Sequence, residues 1–105
     1  MNRGNIFAQI PDDLRDEVFE ALVQEGGVTI ERIISNGQVS PQNGWYDQQR
    51  HEWVMVLQGE ASIAFENGAV MRLGAGDYLN IPAHCRHRVT HTTSSTATVW
   101  LAVHY

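Results

Sequence analysis

Glu52 and His87 are the side chains of this sequence whose setting is best suited to chemistry. Glu52 opens the apolar stretch EWVMVLQG, which ends at Gly59, and His87 closes a segment from Gly76 with the pattern G-x5-P-x-H-x2-H. Sixteen residues separate Gly59 from Gly76. A buried carboxylate or imidazole needs a polar partner, because an unpaired buried polar group costs roughly 1–3 kcal/mol. A shared metal ion would satisfy both groups, and a direct hydrogen bond between them is the alternative.

Strand periodicity predicts how these groups are oriented, because alternate side chains of a β-strand face the same side of the sheet. A strand that begins at Glu52 places Val54 on the same face as Glu52. A strand that begins at His87 places Val89 and His91 on the same face as His87. Each row is apolar with polar groups at its end. If the two rows face each other inside one barrel, the acid and the imidazole meet there.

The elements that must hold these rows are short strands. After Gly27 the pattern predicts strands near 28–35, 52–57, 61–65, 69–73, 77–81, 87–92 and 97–104, with Asn67-Gly68 as the strongest hairpin signal. Residues 12–23 carry the only strong helical pattern, and Gly26-Gly27 is interpreted as its stop. Ile6-Phe7 is predicted to add a short N-terminal strand. The expected fold is all-β, an antiparallel sandwich or barrel with one N-terminal α-helix.

Composition limits the possible functions of the chain. Its 105 residues predict a single domain, with an N-terminal segment at 1–27 and a barrel at 28–105. The net charge of −5 argues against nucleic-acid and membrane-surface binding. All seven basic residues are arginines, which excludes lysine Schiff-base chemistry. The single cysteine, the absence of a long apolar run and the absence of a signal-peptide pattern predict a cytoplasmic protein.

The segment from Gly76 resembles the second motif of the cupin superfamily, G-x5-P-x-G-x2-H-x3-N. Gly76, Pro82 and His87 match that motif, whereas His84 replaces its second glycine and His91 replaces its final asparagine. The resemblance implies a cupin-type jelly-roll barrel, like those of small single-domain bacterial cupins of unassigned function. It also implies a homodimer, because small cupins commonly dimerise.

The first cupin motif, G-x5-H-x-H-x3,4-E-x6-G, is only partly kept. Glu52 and Gly59 match it, and Gly44 stands before it, but both histidines are missing. Depending on the spacing, their positions are filled by Tyr46 and Gln48 or by Trp45 and Asp47.

The resemblance also implies a metal site. Glu52 and His87 occupy two of the four usual ligand positions, Gln48 could supply an amide oxygen as the third ligand, and Asp47 is the alternative to Gln48. His91 could be a fourth ligand or a hydrogen-bond partner of one. Such a set of oxygen and nitrogen ligands suits Mn, Fe, Ni, Co or Zn.

Two functions are therefore expected. The first is a metal-dependent enzyme of isomerase, lyase or dioxygenase type, acting on a sugar or an organic acid, with Tyr46 or His91 as the catalytic acid or base. The second is a non-catalytic barrel that binds a small molecule without metal, which the missing H-x-H pair favours. His84 is expected to have a conformational role in its turn, and His51 is expected to have a surface or interface role.

Overall fold

The computed structural model describes residues 1–105 and contains eight β-strands and no helix. The strands are β1 Val18–Glu25, β2 Val28–Ser35, β3 Glu52–Gln58, β4 Glu60–Phe65, β5 Val70–Gly74, β6 Tyr78–Ile81, β7 His87–Thr92 and β8 Thr98–His104. They form a five-stranded sheet in the order β1-β2-β8-β3-β6 and a three-stranded sheet in the order β5-β4-β7, and all pairings are antiparallel. The predicted all-β fold is confirmed, and no helix able to span a membrane occurs.

The predicted helix at residues 12–23 is wrong, because the second half of that segment belongs to β1 and pairs with β2. Gly26 and Gly27 have φ angles of 59° and 81°, which suit a two-residue turn between antiparallel strands. The glycine pair therefore closes a hairpin instead of ending a helix. A β-bulge between Ala21 and Val23 interrupts the alternation of side chains in β1, so its apolar residues do not follow the simple period of a strand.

The predicted N-terminal strand at Ile6-Phe7 is also wrong, because residues 6–9 form a turn. The buried guanidinium of Arg32 holds this turn by donating from Nη1 to the carbonyl oxygens of Ile6 and Ala8, at 3.1 and 2.6 Å. Nη2 of Arg32 donates to both carboxylate oxygens of Glu20, at 2.8 and 3.0 Å. A side chain of β2 thus fixes the N-terminal segment against the sheet.

The inner face of the five-stranded sheet has an apolar centre and a polar end, and strand register sets this order. At the centre, Ile33 of β2 lies opposite Trp100 of β8, which lies opposite Val56 of β3. At the polar end, His104 of β8 lies opposite Glu52 of β3. The apolar centre packs against the three-stranded sheet in one core that also includes Val54, Ala61, Ile63, Leu73, Ile81 and Ala102.

Candidate functional site

A cavity of about 170 Å³ lies between the two sheets and gathers most of the predicted site residues. Its apolar walls are Phe19, Ile33, Val54, Ile63, Val89 and Trp100. Its remaining lining residues are Glu17, Glu31, Tyr46, Gln48, Glu52, His87 and His104. Gln48, Glu52, His87 and Tyr46 are thus brought together, as the motifs predict.

Glu52 and His87 meet inside the cavity, from strands of different sheets. Nε2 of His87 lies 3.3 Å from Oε1 of Glu52, and Nδ1 of His87 lies 2.8 Å from the carbonyl oxygen of Cys85. Both ring nitrogens therefore face acceptors. Only the doubly protonated imidazolium can donate to both of them at once.

The electrostatics of His87 favour the same protonation state. The side chain is buried, with 4% of the residue exposed, and this burial by itself lowers the pKa. The hydrogen bonds to Glu52 and Cys85 and the charge of Glu52 together outweigh burial, so the pKa of His87 is raised above its ordinary value. Geometry and charge thus agree on a carboxylate–imidazolium pair.

Gln48 lines the cavity, whereas Asp47 lies outside it. Oε1 of Gln48 is buried and has no hydrogen-bond partner in the protein. Oδ1 of Asp47 lies 2.8 Å from Nδ1 of His84, and Oδ2 accepts a hydrogen bond from Nε of Arg86 at 3.3 Å. The contact with His84 is the largest of several causes that lower the pKa of Asp47. Of the two alternatives for a third donor, the structure therefore places Gln48 next to the cavity.

Tyr46 is held beside His87 by the backbone. The two residues exchange amide-to-carbonyl hydrogen bonds of 2.8 and 3.2 Å, and their ring centroids are 5.6 Å apart. Tyr46 remains 43% exposed, which places it at the rim of the cavity. Its predicted role as an acid or base stays a prediction.

His91 lies outside the cavity, and its predicted place on the same face as His87 is wrong. Strand β7 pairs with β4 through a bulge at Thr90, which reverses the alternation of the side chains that follow. Thr92 is buried as a result, and His91 is exposed. Nε2 of His91 lies 3.4 Å from Oε1 of Glu60 on the outside of the barrel. This geometry gives no support to His91 as a ligand or as an acid or base in the cavity.

The other two predicted histidine placements agree with the structure. His84 has a φ angle of 62°, in the left-handed region where a glycine is usual in the motif. His51 is exposed, and its Nδ1 accepts a hydrogen bond from the amide of Ala83 at 2.9 Å. Neither side chain lines the cavity.

A second carboxylate–imidazole pair lines the same cavity, and the motifs do not predict it. Nε2 of His104 lies 3.0 Å from Oε1 of Glu31, and the two side chains are only 12% and 19% exposed. The alternation of side chains along their strands could have predicted that both residues face the interior. His104 follows Trp100 and Ala102 at alternate positions of β8, and Glu31 stands two residues before Ile33 of β2.

Glu17 is a third carboxylate of the lining, beyond the apolar centre. The hydroxyl of Ser35 donates to Glu17, and Nε1 of Trp100 donates to Oγ of Ser35 at 3.2 Å. Burial raises the pKa of Glu17 more than the hydrogen bond from Ser35 lowers it. Glu17 was not predicted as a site residue, because it lies in the segment predicted to be helical.

The donors in the cavity do not make a complete metal site. No three His, Cys, Asp or Glu side chains are grouped so that they could hold a metal ion. Catalytic zinc sites, for comparison, use three protein ligands of these types. Here Glu52 and His87 already contact each other, Glu31 and His104 form a second such pair, and the buried oxygen of the lining that has no partner is the amide oxygen of Gln48. These residues therefore do not fit a resident transition metal.

Comparison with known proteins identifies the barrel type. The cupin domain family matches residues 23–104. The structure is similar to a "putative mannose-6-phosphate isomerase" from Ralstonia eutropha JMP134, with 50% identity, coverage of 99% of this chain and 97% of that one, and a TM-score of 0.95. It is also similar to a cupin superfamily protein from Desulfitobacterium hafniense DCB-2, with 23% identity, coverage of 99% and 91%, and a TM-score of 0.78. Among curated proteins, none matches this chain.

Proposed function

The chain belongs to the cupin family, and we propose that its barrel binds a small polar organic molecule through Gln48, Glu52 and His87 without a resident metal ion. The observation that carries this proposal is the buried Oε1 of Gln48, which has no partner within the protein. Leaving such a group unsatisfied costs about 1–3 kcal/mol. A ligand that donates a hydrogen bond to this oxygen would remove that cost.

Glu52 and His87 offer the ligand one negatively charged group and one positively charged group. His87 as imidazolium is a hydrogen-bond donor and an acid, and Glu52 is an acceptor and a base. Tyr46 adds a phenol at the rim. These groups can hold a polar molecule, and they can also exchange protons with one.

Isomerisation of a sugar phosphate is the second candidate, favoured by the name of the Ralstonia protein and its 50% identity. Proton transfer between neighbouring carbons would need an acid and a base, which His87 and Glu52 could supply. Against it, no arginine lines the cavity, and a phosphate group is usually held by such cations. We therefore expect no turnover of mannose 6-phosphate in a coupled assay. Turnover that is lost in Glu52→Gln and His87→Gln would favour this second candidate instead.

The amide of Gln48 offers a test that does not depend on knowing the ligand. Gln48→Leu should raise the free energy of unfolding of the unliganded protein by about 1 kcal/mol, because it removes an unpaired buried acceptor. Gln58→Leu is the matched control. Nε2 of Gln58 donates to the carbonyl of Ala97 at 2.9 Å, so this variant should lose about 1 kcal/mol.

Ligand binding by these variants completes the test. Thermal-shift and ligand-observed NMR screens with small sugars, organic acids and amines should detect binding to the wild type and to Gln58→Leu, but not to Gln48→Leu. A loss of stability in Gln48→Leu equal to that in Gln58→Leu would assign a structural role to Gln48. Absence of binding in all three ligand classes would contradict the proposed function.

A homodimer and a cytoplasmic location belong to the same proposal. The dimer is supported by exposed apolar side chains, among them Phe19, Leu22 and Val23 of the edge strand β1. Light scattering during gel filtration should give twice the chain mass of 11.8 kDa. The cytoplasmic location is supported by the single cysteine, and cell fractionation tests it.

A further inference from the structure

The cavity is lined by more negative than positive groups. The lining contains three carboxyls, those of Glu17, Glu31 and Glu52, and two imidazoles, those of His87 and His104. The lining thus has three carboxyls against two imidazoles, and burial raises the pKa of one of these carboxyls, Glu17.

No guanidinium compensates for these carboxylates, because no arginine lines the cavity. Arg32 of β2 is bound to Glu20 and to the N-terminal turn. Arg86 is bound to Asp47 and Glu66, and Arg88 stacks over Trp45 at 5.2 Å from the ring centroid. An anionic ligand would therefore enter a cavity that has several carboxylates and no permanent cation.

The polar end of the cavity also has a surplus of hydrogen-bond acceptors. Glu31 contacts His104 through Oε1, and Glu52 contacts His87 through Oε1, which leaves Oε2 of each carboxylate without a protein partner. Oε1 of Gln48 is a third free acceptor. These acceptors favour a ligand group that carries several N–H or O–H donors.

The rest of the lining suits the body of an organic cation. Phe19, Tyr46 and Trp100 present aromatic side chains to the cavity, and a cation is attracted to the face of such rings. Ile33, Val54 and their neighbours form an apolar wall in the middle of the cavity. A volume of about 170 Å³ limits the occupant to a small molecule, since an engineered cavity of about 150 Å³ holds benzene.

Resting on the proposed function, we propose that the ligand is a small primary amine with a compact apolar body. Its ammonium group lies among Glu31, Glu52 and Gln48, and its body lies against Trp100 and the apolar wall. Three N–H donors match the three free acceptors, and the ammonium charge suits a cavity whose lining has three carboxyls and no guanidinium.

Three probes with the same ring separate charge from shape. Cyclohexylamine, cyclohexanol and cyclohexanecarboxylate are titrated into the wild-type protein at neutral pH and low salt, and affinity is followed by calorimetry and chemical-shift changes. We expect the amine to bind at least about tenfold more tightly than the alcohol, because charge-assisted hydrogen bonds are stronger than neutral ones. The carboxylate should show no binding.

Variants locate the effect. Glu31→Gln should weaken the amine about tenfold and leave the alcohol unchanged. Glu60→Gln is the control, because Glu60 is exposed outside the cavity and should leave every probe unchanged. The three probes are compared on the wild-type protein, so that part of the test holds even if a variant fails to fold.

Each contrary result has its own meaning. Equal affinity for the amine and the alcohol would overturn the inference and leave the proposed function standing, because a neutral polar molecule would then fit the cavity. Tighter binding of the carboxylate would overturn the inference as well. No binding of any probe would also overturn it, and the proposed function would then be judged by the Gln48→Leu experiment alone.

Discussion

Replacing Glu52 by glutamine removes one charge of the buried pair and keeps its shape. At the observed separation of 3.3 Å, two unit charges attract each other by about 5 kcal/mol at an effective dielectric constant of about 20. Removing one partner of a buried pair costs about 3–5 kcal/mol. Because the glutamine oxygen can still accept a hydrogen bond, we expect a loss near the lower end, about 3 kcal/mol. For a domain of this size, such a loss lowers Tm by about 10–20 °C.

The cost of Glu52→Gln should depend on pH in a defined direction. The pKa of His87 is raised in the folded protein, so its pairing stabilises the fold fully below the ordinary value of 6.5. This stabilisation is lost as the pH rises through the folded-state pKa. The difference between wild type and variant should therefore be larger at about pH 6 than at about pH 9.

Urea unfolding at the two pH values measures this difference, and Glu60→Gln supplies a matched control. Glu60 faces His91 at 3.4 Å, nearly the same separation, but both side chains are about half exposed, at 51% and 53%. An exposed pair of this kind contributes about 0–1 kcal/mol. Equal losses in Glu52→Gln and Glu60→Gln, or a larger loss for Glu52→Gln at high pH, would refute the buried carboxylate–imidazolium pair.

Two further variants test the fold around the site. Gly59→Ala should destabilise the protein by more than about 2 kcal/mol, because the new Cβ would lie 2.4 Å from Oγ1 of Thr98 at a φ of 86°. Gly68→Ala is the control, since its φ is 96° but the space around it is open, and it should cost only about 1–2 kcal/mol. Thermal unfolding measures both losses. Arg32→Met should free residues 1–9, seen as faster hydrogen exchange and proteolysis there, and unchanged exchange would contradict the tethering role of Arg32.

Much of the barrel could be predicted from the sequence, because its strands are short, alternate in polarity and end at glycine turns. The seven strands after Gly27 occur within one residue of their predicted bounds. The meeting of Glu52 and His87 followed from the same alternation. Strand β1 could not be identified in this way, because it is largely exposed and carries a bulge, so its apolar residues mimic a helical period.

The errors at the candidate site have a common physical cause. The placement of His91 failed because the bulge at Thr90 depends on the pairing of β7 with β4, which local sequence does not encode. The pair of His104 and Glu31 lies outside the family motifs, although both residues stand in phase with buried apolar neighbours. A search for polar residues that alternate with buried apolar residues along a strand could have identified this pair.

The metal content of the purified protein tests the central claim most directly. Untagged wild-type protein and the double variant Tyr46→His, Gln48→His are prepared from metal-replete cultures and compared by elemental analysis. The variant places two imidazoles at positions that line the cavity beside His87, and so supplies the strong donors that the natural chain lacks. The account predicts that the variant holds about one equivalent of transition metal and that the wild type holds no stoichiometric metal. One equivalent of metal in the wild type, lost in His87→Gln, would contradict it.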